Sequence, residues 1–148
     1  MNDAVQSQHT TDEAISPVMF SLIGAAHLVE GQIETALSGQ GLSMAKLTVL
    51  TKLVEAGEAL TLSEIAARVN CVRSNVTQLV DRLEADALVR RVDDPADRRI
   101  IRAELTAEGR RRQAAGAKAL GAVQANILRD LGTRSEHNTL AQLLSRLG

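Results

Sequence analysis

Apolar residues recur every three or four positions along most of the chain, which is the pattern of amphipathic helices. Residues that commonly cap helices mark several of the ends. Ser16 precedes a proline, Ser43 opens the second stretch and Gly57 closes it. The polar residues 1–14 lack this period and predict a flexible arm. The pattern predicts helices at about residues 16–37, 43–57, 64–69, 73–86, 106–131 and 133–147.

A different pattern occupies the middle of the chain. A short extended piece is predicted at 60–62, and strand-like runs at 88–92 and 100–105 flank a turn rich in Pro and Asp. The result is a charged hairpin whose tip carries Arg98 and Arg99. Long guanidinium side chains on an exposed loop suit contacts with phosphates or a narrow minor groove. A solvated turn without a function is the alternative.

The order helix, short helix, turn, helix and hairpin is that of a winged helix-turn-helix. The expected fold class is therefore mainly α (α+β), with a two-stranded wing and further helices at both ends. The helix at 73–86 would turn Val76, Leu79, Val80 and Leu83 inward. Its outward face carries side chains that can read base edges in a major groove: Arg73, Ser74, Asn75, Thr77, Gln78 and Arg82.

Composition narrows the class of protein. A chain of 148 residues can form one domain, and its packing must be aliphatic because Phe20 is the only aromatic residue. The single cysteine, Cys71, fits a reducing compartment. No apolar run approaches the length of a membrane span, and the polar start is unlike a secretory signal. We therefore expect a cytoplasmic protein.

Charge is distributed unevenly, although the net charge is only −1. Residues 68–112 carry eleven arginines against eight acidic residues, a local charge of +3, and the rest of the chain carries −4. The guanidinium group presents a planar fork of donors that matches phosphates and guanine edges. The asymmetry indicates a nucleic-acid-binding lobe on an acidic frame.

The central segments resemble those of the MarR family of transcriptional regulators. The hairpin carries the wing motif of that family, which is Asp, any residue, Arg, five residues, Leu-Thr, two residues and Gly. The upstream segments 42–43, 62–66 and 76–84 are similar to the family as well. The resemblance covers about residues 16–147, and the motif positions here are Asp97, Arg99, Leu105, Thr106 and Gly109.

The resemblance implies a single domain of residues 1–148 that forms a homodimer. Helices at 16–37 and 106–147 would join the subunits, which agrees with apolar stripes wider than a small bundle could cover. A monomeric bundle is the alternative. The lobe at 43–105 would bind double-stranded DNA at an inverted repeat, with half-sites about 34 Å apart, and repress transcription by excluding polymerase. No cofactor is expected.

The resemblance also suggests a small phenolic or aromatic effector, which many relatives bind between the dimer helices and the winged lobe. The candidate pocket residues lie on the first helix and at the start of the second. An ordinary aliphatic core explains these residues equally well. They are Met19, Phe20, Ile23, His27 and Met44.

Three positions depart from the family pattern. Val72 stands where relatives often have a serine cap, and its side chain cannot accept the free amide, a loss of about 1 kcal/mol. Ala87 stands where glycine is usual, so the entry to the wing is expected to be altered. Asn70 also replaces a common glycine, but asparagine tolerates positive φ.

Other classes of function find less support. Cys71 could be a redox sensor, although a buried cysteine that packs in the turn is favoured. His27 and Glu30 could supply half of a metal site, but no Cys/His cluster accompanies them. Because no nucleophile with a base, phosphate loop or metal set is found, no enzyme is expected. The main rival is a winged-helix module that binds another protein and never contacts DNA.

Overall fold

The structure is a computed structural model that describes residues 16–147, so the arm predicted for residues 1–14 lies outside the described residues. The prediction of a mainly α fold with a small β wing is confirmed. The elements are α1 (Pro17–Ser38), α2 (Met44–Ala56), β1 (Leu60–Thr61), α3 (Leu62–Val69), α4 (Arg73–Ala85), β2 (Val89–Asp93), β3 (Ile101–Leu105), α5 (Ala107–Asp130) and α6 (Arg134–Leu144).

Side-chain caps set most of the helix starts. The hydroxyl oxygens of Ser16 and Ser43 accept hydrogen bonds from the first turns of α1 and α2, each at 3.3 Å, as the sequence predicted. Helix α3 begins two residues before its predicted start because Thr61 caps it. Glu64 N donates to Thr61 Oγ1 at 3.1 Å, and Thr61 N donates to Glu64 Oε2 at 2.7 Å, a reciprocal capping box. A second capping box, between Thr133 and Glu136, begins α6.

The predicted two-stranded hairpin is formed by β2 and β3, and a third strand joins it to give an antiparallel sheet with strand order β1-β3-β2. Strand β1 is the predicted extended piece, and its pairing of Leu60 with Ala103 adds it to the edge of β3. In the hairpin, Arg91 also pairs with Ala103. The register places Ala103 at the centre of the sheet, where it is buried.

The buried apolar residues of the core all lie in the stretch of sequence from the end of α1 to strand β3. Helix α2 runs through the centre of the core and contacts α3, α4, α5 and β3. By contrast, none of the residues 134–144 of α6 is buried. The buried apolar residues are Leu37, Leu42, Leu47, Val49, Leu50, Leu53, Leu60, Ile65, Ala66, Val76, Val80, Leu83, Leu88, Val89 and Ala103.

Helix α5 follows the wing with only Thr106 between them. The helix is continuous although it contains glycines, two of which, Gly109 and Gly116, are buried at close contacts. A Cβ atom on Gly109 would lie 1.9 Å from the carbonyl oxygen of Leu88. The same oxygen accepts hydrogen bonds from Thr106 N (3.1 Å) and Thr106 Oγ1 (3.0 Å). The absence of a side chain at Gly109 thus lets α5 join the base of the wing.

Two non-glycine residues adopt left-handed backbone conformations. Asn70 ends α3 with φ +51°, as its tolerance of positive φ predicted. Ala87 has φ +58° at the entry to the wing. The expectation of an altered entry was wrong, because Ala87 adopts the left-handed conformation, at a cost of about 1 kcal/mol. Leu88 N bonds back to Leu83 O at 2.9 Å and helps to hold this turn.

The prediction of a buried Cys71 was wrong, and two leucines near the end of α5 are also exposed. Leu128 and Leu131 lie at helical spacing near the end of α5, yet they are exposed because no other described element covers them. Cys71 was expected to pack in the turn, but it is exposed. The left-handed Asn70 and a bond from Cys71 N to Ala66 O (3.0 Å) reverse the chain here, so that Val69 packs against the core instead.

Candidate nucleic-acid interface

Helix α4 is anchored by one face and leaves the other open. Val76, Val80 and Leu83 are buried, and Leu79 is partly buried, as the sequence predicted. The candidate base-reading residues lie outside this anchor. Thr77 is half-buried and its hydroxyl donates to Arg73 O at 3.0 Å, whereas the others are exposed: Arg73, Ser74, Asn75, Gln78 and Arg82.

The N-terminus of α4 has no side-chain cap, as predicted from the valine at position 72. The amides of Asn75 and Val76 donate to the carbonyl oxygen of Val72 at 3.1 and 3.3 Å, which leaves the amides of the first two helical residues for solvent or a ligand. A helix N-terminus carries a partial positive charge, which favours an anion. This end of α4 is therefore suited to approach a phosphate backbone.

The wing tip holds the two arginines predicted to contact a nucleic acid. The side chain of Arg99 is 90% exposed, and its guanidinium makes a two-point ion pair with the carboxylate of Asp97, with both contacts at 3.0 Å. The Arg99 guanidinium lowers the pKa of Asp97, and the same pair raises the pKa of Arg99. Arg98 is exposed beside it. The carboxylate thus holds Arg99 in one orientation.

A buried carboxylate fixes the turn of the wing. Asp94 accepts hydrogen bonds from Ala96 N (2.8 Å) and Asp97 N (3.0 Å) and forms an ion pair with Arg102. Arg102 also donates to Ala59 O at 3.0 Å, which ties the wing to the residues before β1. The Arg102 guanidinium and the two amides lower the pKa of Asp94. The turn that presents Arg98 and Arg99 is therefore internally braced.

Helix α4 and the wing meet at a groove of about 460 Å³. Arg73 from α4, Arg91 from β2 and Arg99 from the wing tip line it, together with Ile100 and Ile101. We call this surface the arginine groove. Side chains of α4 and of the wing therefore line one continuous surface.

Arg91 connects β2 to the back of α4. Its guanidinium forms ion pairs with Asp81 and Glu84, and its backbone amide donates to Glu84 Oε1 at 3.1 Å. The hydrogen bond to Asp81, with the neighbouring Glu84, raises the pKa of Arg91. Sequence reasoning missed this clamp, because only the packing of β2 against α4 brings the three side chains together. The clamp fixes α4 relative to the wing.

The exposed apolar surface is concentrated on the terminal helices. We call it the terminal apolar face. Beside it, Leu22, Val29, Ile127, Leu140 and Leu144 line a groove of about 640 Å³ between α1, α5 and α6. The face consists of Val18, Met19, Phe20, Ile23, Leu28, Leu128, Leu131, Leu143 and Leu144.

The candidate effector residues are spread over this region rather than enclosed. Met19, Phe20, Ile23 and Met44 are each between 44% and 61% exposed. His27 is exposed and lines a separate open groove with Thr35, Asn126 and Arg129. The single chain therefore does not gather the five residues around a closed cavity.

Residues 16–147 contain neither a cluster of metal ligands nor a membrane-spanning helix. No group of three or more His, Cys, Asp or Glu side chains in this range is placed to hold a metal ion. Within the same range, no helix has the length and apolar character needed to cross a bilayer.

Comparison with known proteins gives a consistent picture. The sequence model of the MarR family matches residues 42–101. The HTH-type transcriptional repressor MdtR of Bacillus subtilis (strain 168) is 35% identical over 100 residues, which span 68% of this chain. The same match spans 64% of MdtR, slightly less than two thirds of its length.

Solved structures extend the similarity beyond the central lobe. The crystal structure of YusO from Bacillus subtilis matches with a TM-score of 0.72 and 31% identity, covering 93% of this chain and 96% of YusO. CouR from Rhodococcus jostii RHA1 bound to p-coumaroyl-CoA matches with a TM-score of 0.68 and 28% identity, covering 89% of this chain and 90% of CouR. The transcriptional repressor CouR bound to a 23-mer DNA duplex matches with a TM-score of 0.71 and 26% identity, covering 88% of this chain and 91% of CouR.

Proposed function

This chain belongs to the MarR family of transcriptional regulators, and from this premise we propose that it is a repressor that binds operator DNA as a homodimer. The observation that carries the proposal is the arginine groove, in which Arg73 of α4 and Arg99 of the wing line one surface. A major groove accepts a helix, and a flanking wing reaches the adjacent backbone or minor groove. The geometry therefore supports simultaneous contact by both elements.

The contacts follow from the side chains. Asn75 and Gln78 have the paired donor and acceptor that adenine requires, Arg73 and Arg82 suit guanine or phosphate, and Ser74 and Thr77 can contact either kind of group. Arg98 and Arg99 contact the backbone or minor groove beside the half-site. DNA binding excludes polymerase from the promoter and so represses transcription.

The homodimer follows from the terminal apolar face. Water-exposed apolar side chains in this number are typical of a surface that binds another protein. In the proposed organisation, residues 1–148 form one domain, segments 16–37 and 106–147 join two subunits, and residues 43–105 bind DNA. Two-fold symmetry then requires an inverted repeat with half-site centres about 34 Å apart.

Release of DNA by a small molecule is part of the proposal. CouR has been solved both with p-coumaroyl-CoA and with DNA, which supports an effector for this chain. A phenolic or aromatic ligand would be held near Met19, Phe20, Ile23, His27 and Met44 once a second subunit covers them. A ligand that favours another spacing of the two lobes shifts the population away from the DNA-binding form.

The test is a selection of binding sites from random DNA duplexes by the purified chain at near-physiological salt. We expect recovery of an inverted repeat. If the folded protein recovers no motif, the proposal is wrong, and a module that binds another protein becomes the better explanation.

Variants of the recovered complex test the residue assignments. Arg99→Ala should weaken binding to all sequences and lower the salt dependence by about one unit of slope per subunit. Arg111→Ala is the matched control, since Arg111 is also exposed and paired with a nearby carboxylate, Glu108, but lies on α5. Asn75→Ala should instead relax the sequence preference at one base step. Equal effects of the variants at Arg99 and Arg111 would contradict a specific role for the wing.

A further inference from the structure

Val72 is an exposed apolar side chain at the DNA-facing end of α4. It is 62% exposed. Of the other large exposed hydrophobic side chains of the winged lobe, Ile100 and Ile101 line the arginine groove and Met44 lies at the start of α2. Val72 stands apart from that groove at the N-cap of α4. Any contact that Val72 makes with a ligand is therefore at the N-terminus of α4 itself.

The fold gains nothing from valine at this position. As an N-cap, Val72 makes no side-chain hydrogen bond, whereas Thr61 at the same position of α3 accepts one from Glu64 N. Serine, threonine or asparagine would stabilise α4 by capping it. Valine also exposes apolar surface to water, which is unfavourable. The side chain is thus costly in the free protein, and contact with an apolar group of a ligand would recover the cost.

Base edges in a major groove offer one apolar group, the C5-methyl of thymine. The first residues of a recognition helix are those that approach base edges. We infer that Val72 reads a thymine methyl group in each half-site and is a specificity-determining residue of this chain. This inference rests on the proposed function, because it requires the N-terminus of α4 to enter the major groove.

The assignment is consistent with the neighbouring side chains. Arg73 and Asn75 are exposed beside Val72 and supply polar contacts to phosphate, guanine or adenine. Their polar head groups do not supply the apolar contact that a methyl group requires. Thr77 also carries a methyl group but is half-buried, so Val72 is the most exposed apolar side chain of α4 available for this contact.

The experiment removes only the methyl group from the DNA. In the operator recovered by selection, each thymine is replaced singly by deoxyuracil, and the affinity of the intact chain is measured. We expect one position per half-site at which the change weakens binding about fourfold, the equivalent of one buried methyl group, and about fifteenfold when both half-sites are changed.

Two variants connect the effect to Val72. Val72→Ala should bind the thymine and deoxyuracil operators equally. Val72→Ser should also lose the discrimination, yet raise the melting temperature because serine can cap α4. In Val72→Ser the discrimination between the two operators is then lost while the melting temperature rises, and a purely structural role of Val72 cannot produce this combination. Asn75→Ala is the control and should retain the discrimination between thymine and deoxyuracil.

Three results would overturn the inference. The first is that the intact chain binds every deoxyuracil operator as tightly as the thymine operator. The second is that Val72→Ala keeps the discrimination, which would mean that another side chain reads the methyl group. In either case operator binding itself, and with it the proposed function, would stand. Recovery of no operator by folded protein would instead refute the proposed function and this inference together.

Discussion

The winged lobe of this chain buries most of its apolar side chains within itself, whereas the terminal helices leave many of theirs exposed. In the lobe, the inward side chains of α2, α3, α4 and the sheet cover one another, and residues such as Leu50 and Val80 are fully buried. In the terminal helices, α6 buries none of the residues 134–144, and Phe20 and Leu143 are at least half exposed. Both regions have aliphatic stripes at helical spacing, but only the lobe contains the second surface that each stripe needs.

The difference teaches that amphipathic periodicity identifies a helix but not the molecule that covers it. The lobe can be understood from one chain. The terminal helices have a hydrophobic surface that no other described element of the chain covers, and we propose that a second subunit covers it. Five changes test this contrast, in order of decreasing expected effect.

Leu50→Ala tests whether the lobe depends on its own packing. Leu50 is fully buried in α2, so truncation leaves a cavity and should lower the free energy of unfolding by about 3 kcal/mol. Urea denaturation measures the loss. Leu50→Met, which conserves volume, is the control and should cost less than about 1.5 kcal/mol. Equal and small effects of both changes would mean that the lobe core is loosely packed.

Leu144→Asp tests the terminal apolar face. The side chain lines the groove between α1, α5 and α6 and is 42% exposed, so a charge there should weaken self-association by about 2 kcal/mol, or roughly thirtyfold. Sedimentation equilibrium gives the dissociation constant. Ser145→Asp adds the same charge at the adjacent exposed residue and should have little effect. A wild-type chain that stays monomeric at all concentrations would refute the proposed homodimer.

Arg91→Met removes the clamp between β2 and α4. Two carboxylates, Asp81 and Glu84, lose their shared partner, and we expect a loss of about 1.5 kcal/mol in the free energy of unfolding. Adding Asp81→Asn and Glu84→Gln to Arg91→Met should recover part of it, because no unpaired charge remains. The coupling between Arg91 and the two carboxylates is measured by denaturation of four proteins: the wild type, Arg91→Met, the double variant Asp81→Asn with Glu84→Gln, and the triple variant. Strict additivity would show that the clamp contributes no stability.

Ala87→Gly tests the strained entry to the wing. Glycine adopts the φ of +58° without steric cost, so the lobe should become about 1 kcal/mol more stable. Ala67→Gly, at an exposed site within α3, is the control and should be destabilising by about the same amount. Thermal denaturation would compare the two. A loss of stability at position 87 would contradict the left-handed conformation.

Acid should release the brace of the wing. Because Arg102 lowers the pKa of Asp94, the ionised carboxylate is favoured in the folded state. The stabilisation is complete above the ordinary pKa of aspartate and is lost as the pH falls through the lowered value. NMR titration of Asp94 should show its pKa rising towards the ordinary range in Arg102→Gln. Arg90→Gln, which removes the partner of Glu104 instead, should leave the pKa of Asp94 unchanged.

Local signals in the sequence predicted the fold well. The caps at Ser16 and Ser43, the stop at Gly57 and the turn at Asn70 were found because each depends on a few neighbouring residues. The strands of the hairpin were predicted to within one residue at their starts and ends. The short helix α3 was misplaced by two residues, since its cap, Thr61, also belongs to a strand.

Signals that depend on tertiary contacts could not be found in this way. The Arg91 clamp and the brace of Asp94 by Arg102 join residues that only the folded sheet brings together. The exposure of Cys71 depends on the backbone conformation of Asn70, and the junction of α5 with the wing depends on the close approach of Gly109 to the carbonyl oxygen of Leu88. The chemistry of the candidate interface was predictable from residue types, but not which arginines are held by carboxylates.

The junction at Gly109 turns α5 into a lever. Its 24 residues make a rod about 36 Å long, rooted at one end beside Leu88 without a flexible linker. A tilt of about 5° displaces the far end of such a rod by about 3 Å. In the proposed homodimer, where the distal end of α5 would be held by the second subunit, a small rotation at that end would displace the wing by a similar distance, which is enough to take Arg99 out of register with a DNA half-site.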